Sequence, residues 1–574
     1  MDQQRNLIIA IALSIAILVG FEYFFGQRQP VHRPAPATQT TAPSTPSTAT
    51  PSAPGTATAP EAKPRDAVLA GSPRVAIDTP SLHGSISLIG ARLDDLILPK
   101  YRETIDPHSP PIVLLSPDGS EHAYFVEHGW VTAPNSTVKA PDGTTRWTAS
   151  QGALTPQHPI DLTWDNGSGV RFIRHYAVDD NYMFTVTETV ENKSGNPITL
   201  YPYALVSRTG NPITSSTYIL HEGPIGVLDG TLKEIKYKDL TPGKPEEFKS
   251  TGGWLGITDK YWLTALIPDQ QETLKARFTA LERNKTEVYQ VDYTGSERVV
   301  PAGGSVSTTE RLFAGAKEVH LLDSYQRAYG IPLFDHAIDF GWFYWITKPI
   351  FLTLDFFYQR IGNFGVSILL LTVIIKLIFF PLANKSYRAM SKMKLLQPEM
   401  EKLRERFGED KARLQQEMMA LYKRVGANPM AGCLPIVIQI PVFFSLYKVL
   451  YVTIEMRHAP FFGWIHDLSA PDPTTFLNLF GALPYTAPPE LAFLHIGAWP
   501  LIMGVTMFLQ QKLNPQPADP VQAKMFMILP VVFTYMLSQF PAGLVIYWAW
   551  NNLLSIAQQW LIMRRSAPAV PAKA

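Results

Sequence analysis

Cysteine and charged residues are both scarce in this chain of 574 residues. The single cysteine excludes an internal disulfide framework and any zinc site built from several cysteines. Charged residues make up 17% of the chain, below the roughly 25% of an ordinary soluble protein. A net charge of +1 argues against a nucleic-acid binder, which needs a strongly basic face. The length and a mean hydropathy of +0.00 together indicate at least two domains, one soluble and one embedded in lipid.

Motifs of common catalytic sites are missing as well. There is no G-x-S-x-G nucleophile elbow and no P-loop, and His221-Glu222 lacks the second histidine of a zinc-binding pair. One possible binding site is a carbohydrate platform formed by Trp254, Tyr261 and Trp262. The favoured interpretation is that these are aromatic core and edge residues of a β-sandwich. We therefore predict that the chain is not an enzyme and that it needs no cofactor and no metal.

The first 70 residues predict an anchor followed by a spacer. Residues 7–25 form an apolar run of about 19 residues, long enough to cross a bilayer. A cleaved signal peptide is the alternative, but no small-residue cleavage site follows the run. We predict an uncleaved transmembrane anchor at 1–27 with a cytoplasmic N-terminus. The Pro/Thr/Ala-rich stretch within 28–70 cannot bury a core and is predicted to be an extended linker.

Residues 71–325 are predicted to form an all-β domain. Phe184, Val186 and Val190 alternate with polar residues, which is the period of a strand with one buried face. Similar runs recur between turn pairs such as Asp142-Gly143 and Asn166-Gly167. Many short strands separated by turns predict an antiparallel sandwich.

The remainder is predicted to be an all-α transmembrane bundle. Residues 331–360 crowd aromatic side chains beside charged ones, which favours an amphipathic helix at the lipid interface. Five candidate spans follow in a core at 361–565, and a short cytoplasmic tail occupies 566–574. The spans lie at 364–383, 433–451, 491–511, 525–540 and 543–561. The span at 525–540 is short enough to thin the bilayer or tilt its neighbours.

Basic residues predict the orientation of the spans. Residues 384–430 carry eleven Lys or Arg, whereas residues 452–490 carry only Arg457. Basic loops stay cytoplasmic, so the N- and C-termini are predicted to be cytoplasmic and the β domain to be exported. The basic loop itself has helical periodicity at 397–407 and 410–425. This predicted helical hairpin is either a solvated structure or a docking surface for a cytoplasmic partner.

A few polar residues interrupt the predicted spans. Lys376 is the one deep charge, with Thr372 one turn earlier on the same face. An ammonium at this depth costs roughly 2.5–3.5 kcal/mol unless it snorkels to the interface. Gln439 lies in mid-span, and Asn551 follows the aromatic pair Tyr547 and Trp548. Together these side chains predict a wet, positively charged hollow, while Asn552 is better explained as a contact between helices.

Several ordered motifs between residues 331 and 565 resemble one family. They include Gly362-Asn-Phe-Gly, Phe380-Pro-Leu, Gly432-Cys-Leu-Pro, Gln439-Ile-Pro, Trp464-Ile-His-Asp-Leu-Ser and Phe540-Pro-Ala-Gly-Leu-Val-Ile-Tyr-Trp. The stretch closely resembles the YidC/Oxa/Alb family of membrane protein insertases, in the form found in Gram-negative bacteria. The resemblance implies a bacterial inner-membrane location and a periplasmic β-supersandwich similar to galactose mutarotases.

The resemblance also implies a substrate groove at particular positions. It places the family's groove charge on Lys376, a position where the family usually has arginine. It also places contacts with the client on Thr372 and on Trp548, and the family usually has tyrosine at the position of Trp548. Lysine keeps the charge but loses the planar, bidentate geometry of arginine. The implied partners are nascent membrane proteins, membrane lipids, the Sec translocon, and the ribosome and signal recognition particle pathway through the hairpin 384–430.

The expected function is therefore insertion of nascent inner-membrane proteins, alone or with the Sec translocon, together with help in folding and assembly. Hydrophilic segments of the client would pass through the groove while its transmembrane helices leave sideways into lipid. Two alternatives stay open from the sequence: a chaperone that acts only beside the Sec translocon, and a solute transporter. A transporter would need an internal repeat and a ligand site at the bilayer midplane, and neither is evident.

Overall fold

The computed structural model describes residue 53 and residues 63–566, apart from 135, 151, 211–219, 284–285, 409, 426–433, 484–494 and 515–519. The predicted anchor at 1–27, most of the linker at 28–70 and the tail from 567 onward lie outside the described residues. The anchor and the tail therefore stay predictions, whereas Arg65–Ala70, at the end of the predicted linker, form a short helix instead of an extended chain.

Two large sheets form the first part of the described chain. One sheet contains β1 (Arg74–Asp78), β2 (His83–Ser87), β3 (Leu93–Arg102), β4 (Pro111–Leu115), β5 (Tyr124–Thr132), β7 (Ala153–Leu154), β11 (Ile198–Thr209), β14 (Glu246–Thr251), β17 (Thr273–Arg283), β18 (Thr286–Thr294) and β19 (Arg298–Val300). The other contains β6 (Thr148–Ala149), β8 (Ile160–Asp165), β9 (Val170–Val178), β10 (Met183–Asn192), β12 (Gly223–Leu228), β13 (Thr231–Glu234), β15 (Trp254–Thr258), β16 (Trp262–Ile267) and β20 (Ser305–Ala316). All ladders are antiparallel except the short pairing of β1 with β7. The predicted sandwich is confirmed.

The alternation read in the sequence sets the faces of these strands. On β10, Phe184, Val186 and Val190 are buried, and the threonines between them are partly exposed. β10 pairs with β9 on one side and with β20 on the other, so its apolar face is held over the core. The other sheet contributes Phe278 and Val291 to the same apolar core. Burial of one face of each sheet is the main favourable term of this domain.

Eleven α-helices are described. They are α1 (Arg65–Ala70), α2 (Val319–Tyr329), α3 (Tyr344–Ile361), α4 (Phe364–Ile378), α5 (Phe380–Leu395), α6 (Gln397–Phe407), α7 (Lys411–Val425), α8 (Leu434–Val452), α9 (Ala498–Leu513), α10 (Pro520–Leu537) and α11 (Ala542–Ser566). Helix α11 packs against α4, α5, α8 and α9, so it is the central helix of the group. The boundary predicted at residue 325 falls inside α2.

The span predicted at 364–383 is not one straight helix. Helix α4 ends at Ile378, and the chain bends by 69° before α5 begins at Phe380. Pro381 explains the break, because its ring lacks an N–H and would clash with the carbonyl one turn earlier. Within the described residues, no single helix has both the length and the hydropathy to cross a membrane, while this bent pair reaches both together.

The helical hairpin predicted in the basic loop is confirmed as α6 and α7. Leu396, Met400 and Leu421 form its buried centre, and Arg424 pairs with Glu399 at 3.1 Å across the outside. These contacts join the start of α6 to the end of α7, so the two helices are antiparallel. Both charge signs stay on the outer surfaces.

A polar junction joins the β domain to the helices. The backbone N–H of Val319, at the start of α2, donates to Glu455 Oε1 at 2.8 Å. Lys448 Nζ, on α8, donates to Asp339 Oδ2 at 2.8 Å, and Lys260 of the β domain lies 3.6 Å from the ring centre of Tyr451. The β domain is therefore docked on the end of α8 rather than only tethered to it.

Acidic pH should strengthen this junction through Glu455. Burial raises the pKa of the Glu455 carboxyl from 4.5 to about 7, with Glu318 and Asp355 adding to the rise and the Val319 N–H opposing it. Because the packed state favours the protonated acid, its contribution is greatest below pH 4.5 and is lost as the pH rises towards 7. We expect the thermal midpoint of the full-length protein to fall between pH 5 and pH 7.5, and Glu455→Gln to flatten that slope. Identical slopes for the two proteins would contradict this assignment.

Candidate functional site

A cavity of about 460 Å³ lies among helices α4, α5, α8, α9, α10 and α11. Five of the six predicted site residues line it, namely Lys376, Gln439, Tyr547, Trp548 and Asn551. Other lining side chains are partly exposed at the surface of the helices, among them Ile440 and Phe526. The cavity is therefore a groove that opens sideways between helices, not a sealed void.

The charge in this groove comes from Lys376. Its Nζ donates to Ser555 Oγ at 2.7 Å, and Ser555 Oγ donates in turn to the carbonyl oxygen of Asn551 at 2.8 Å. The groove lining contains no Asp or Glu, so no carboxylate of the described lining faces the Lys376 ammonium. Because no carboxylate neutralises it, the ammonium leaves the groove with a net positive potential.

A second polar pair lines the same groove. Gln439 Nε2 of α8 donates to the hydroxyl of Tyr547 on α11. The Tyr547 ring is buried, whereas the neighbouring Asn551 has a side-chain oxygen without a hydrogen-bond partner. An unpaired acceptor beside a cationic donor can accept hydrogen bonds from water or from a peptide group inside the groove.

Aromatic rings form the apolar side of the groove. The indole of Trp548 lies 4.7 Å from the ring centre of Phe443 and 5.7 Å from that of Phe533. These three rings belong to α11, α8 and α10, so they mark where three helices meet along the groove. Half-buried aromatic rings offer apolar contact area to a passing helix at a low cost in side-chain entropy.

Thr372 lies apart from the groove. Its side chain is 1% exposed, and its hydroxyl donates to the Ile368 carbonyl oxygen of its own helix at 2.7 Å. Thr372 does lie one helical turn before Lys376 on α4. Its side chain is buried between helices, however, whereas the side chain of Lys376 extends toward α11. The structure therefore does not bring Thr372 into the groove with the other five predicted site residues.

Other groove residues were not singled out from the sequence. Ser555, Tyr387, Gln510 and Gln511 all line the cavity. Gln510 and Gln511 end one predicted span and Ser555 lies near the middle of another, but only the fold brings them into one cavity with Lys376. Asn552 donates to Thr506 Oγ1 at 3.2 Å, which confirms its predicted contact between helices.

The residues considered for other chemistry are part of the structural framework. Trp254 is fully buried, and its indole N–H donates to the Pro332 carbonyl oxygen at 3.0 Å. Tyr261 and Trp262 both lie under the guanidinium of Arg457, with 5.7 Å to each ring centre. Their packing against the junction leaves no open aromatic platform at these three positions.

The groove and the sandwich match known proteins in the same order along the chain. Residues 74–353 match the family described as the YidC periplasmic domain, and residues 356–569 match the family described as the 60Kd inner membrane protein. A membrane protein insertase YidC of Methylobacterium sp. (strain 4-46) is 52% identical, with 99% of this chain and 96% of that protein covered. Its counterpart in Nitrobacter hamburgensis is 54% identical over the same shares of both chains.

A solved structure also matches over most of its length. A crystal structure of an active YidC insertase with its first transmembrane domain resolved covers 85% of this chain and 94% of its own, at 17% identity and a TM-score of 0.37.

Proposed function

Because this chain belongs to the YidC family of membrane protein insertases, we propose that the groove around Lys376 receives the hydrophilic segment of a nascent membrane protein. The observation that carries this proposal is the partly buried ammonium of Lys376, which has no carboxylate near it in a groove that opens between helices. Such a charge attracts the acidic and polar residues of a segment that must leave water. Ser555, Gln439 and Asn551 supply hydrogen-bonding groups for that segment.

The client's apolar helix leaves the groove on its aromatic side. Phe443, Phe533 and Trp548 give a continuous apolar surface between the polar wall and the exposed faces of α8 and α10. About 20 apolar residues that enter lipid supply the driving force, so the residues of the groove need only lower the barrier for the polar segment. One proposal covers both the groove residues and this route, and it gives Thr372 no contact with the client.

The proposed topology follows from the basic loops. The N- and C-termini and the hairpin of α6 and α7 lie in the cytoplasm, and the β domain lies in the periplasm. The groove then opens toward the cytoplasm, where ribosomes deliver the client. The hairpin carries a second cavity, of about 680 Å³, lined by charges of both signs that include Lys402, Arg406 and Glu417. We propose it as the docking element for the ribosome, the signal recognition particle pathway or the Sec translocon.

Photocrosslinking tests the route of the client. Phe533 and Tyr535 lie on the same helix, but only Phe533 lines the groove, while Tyr535 is exposed on the outer face. We expect a benzophenone amino acid at position 533 or 548 to crosslink to a ribosome-stalled client, with position 535 giving a several-fold weaker product. Equal crosslinking at 533 and 535 would contradict a route through the groove.

An insertion assay without the Sec translocon distinguishes an independent insertase from a chaperone that acts only beside Sec. An independent insertase in vesicles that lack Sec components should integrate a short single-span client, whereas a chaperone restricted to Sec should not. The protein has the same groove in both cases. The comparison therefore decides between the two functions without changing the assignment of residues.

A further inference from the structure

The loop that joins α8 to α9 presents large apolar side chains to its surroundings. Leu479 and Phe480 are 59% and 42% exposed, and Phe462 and Trp464 form a second exposed tip of the same loop. No Asp, Glu, Lys or Arg occurs from residue 473 to residue 483, the part of this stretch that the structure describes. An exposed surface that combines large apolar residues with no charge is typical of contact with another apolar phase.

The backbone holds these side chains outward at a cost. Leu479 and Phe480 have φ values of 51° and 58°, in the left-handed region that bulky residues rarely adopt. The turn is kept by the N–H of Phe480, which donates to the Thr475 carbonyl at 2.8 Å, and by the N–H of Leu483, which donates to the Asn478 carbonyl at 3.0 Å. The surrounding bonds therefore fix the outward direction of both side chains.

The loop is attached to the first turn of α9. Asp472 accepts hydrogen bonds from the Trp464 indole at 3.2 Å and from the Trp499 backbone N–H at 2.9 Å. The N–H of Phe476 donates to the Ile496 carbonyl at 3.2 Å, just before the helix begins. Both apolar tips thus start from the end of a helix whose own outer face carries exposed Val505 and Leu509.

We propose that this loop is a membrane-inserting wedge, with Leu479 and Phe480 buried among the acyl chains of the leaflet at the α8–α9 end of the bundle. In a protein of an inner-membrane family, the exposed apolar face of α9 contacts lipid, and the tips continue that surface at its end. Trp464, with its N–H bonded to Asp472, lies at the interface where indole rings concentrate. The proposal rests on the membrane placement of α9 but not on the groove mechanism.

Spin-label accessibility tests the wedge in the full-length protein. In a Cys433→Ser background, cysteine is introduced singly at Leu479 and Phe480, labelled with a nitroxide and reconstituted into phosphatidylethanolamine–phosphatidylglycerol vesicles. Val505, 60% exposed on α9, is the lipid reference, and Val299, 54% exposed on β19, is the water reference. We expect oxygen to relax the labels at 479 and 480 more strongly than a water-soluble nickel complex does. The label at 505 should show the same preference for oxygen, and the label at 299 should be relaxed more strongly by the nickel complex.

Two results would overturn the proposal. Labels at 479 and 480 that behave like the label at 299 would place the loop in water. Labels shielded from both reagents would indicate a protein partner or a second copy of the chain instead of lipid. A water-like result at 505 would show instead that the membrane placement of α9 is wrong, so failure of the wedge and failure of the proposed topology are distinguishable.

Discussion

Replacing Lys376 with Glu should lower the insertion of a single-span client with an acidic exported tail by about tenfold, which corresponds to roughly 1.4 kcal/mol. The groove lining contains no other charge of either sign, so this substitution reverses its potential. Two unit charges 6 Å apart interact by roughly 3 kcal/mol at an effective dielectric constant of about 20, and water in the groove reduces that value. The measurement is the fraction of client protected from protease after insertion into reconstituted vesicles.

Two comparisons separate charge from packing at this position. Lys376→Arg keeps the charge and should insert the same client at close to the wild-type level. A client whose exported tail carries no acidic residue should lose much less insertion with Lys376→Glu, because such a tail is neither attracted by the lysine nor repelled by the introduced carboxylate. Wild-type insertion of the acidic client by Lys376→Glu would remove the charge from the mechanism.

Replacing Glu188 with Leu should destabilise the β domain by about 3–5 kcal/mol. Arg174 Nε donates to Glu188 Oε1 at 2.7 Å, and the same guanidinium donates to the carbonyl oxygens of Ala91 and His128. Arg174 belongs to one sheet and His128 to the other, so the guanidinium joins the two layers. Loss of Glu188 would leave a fully buried guanidinium without its counter-charge, which is far more costly than loss of an exposed pair.

Glu191 provides the matched control on the same strand. It faces Arg171 at 4.0 Å with both side chains partly exposed, so Glu191→Gln should change the free energy of unfolding by less than about 1 kcal/mol. The urea midpoint of the β-sheet circular dichroism signal in the full-length protein measures both variants. Similar midpoints for the two variants would show that the buried pair contributes no more than a surface pair.

The β domain was predictable in class but not in arrangement. The alternation at Phe184, Val186 and Val190 predicts a strand because it is a local property of consecutive residues. The partner of that strand is not local: β10 pairs with β20, which lies more than a hundred residues later in the chain. Nothing in a short window of sequence specifies such a pairing, so the order of strands in the two sheets required the structure.

The groove residues that could be predicted from the sequence are polar residues within otherwise apolar segments. Lys376, Gln439 and Asn551 are polar in apolar helices, and the fold brings all three to one cavity. Thr372 lies outside the cavity because residues one helical turn apart share a side of α4 only approximately, and the packing of neighbouring helices decides which of them is buried. Ser555 was missed because a single serine inside a helix is common, and only the position of α11 gives it a role beside Lys376.

Labelling of introduced cysteines by a membrane-impermeant maleimide would test whether the groove around Lys376 holds water. In a Cys433→Ser background, cysteine at Ala383 or Asn551 would lie in the groove lining, and cysteine at Thr372 would be buried behind it. In inside-out membrane vesicles we predict rapid labelling at 383 and 551, protection of both by a ribosome-stalled client, and no labelling at 372. Absence of labelling at 383 and 551 under these conditions would contradict an aqueous groove.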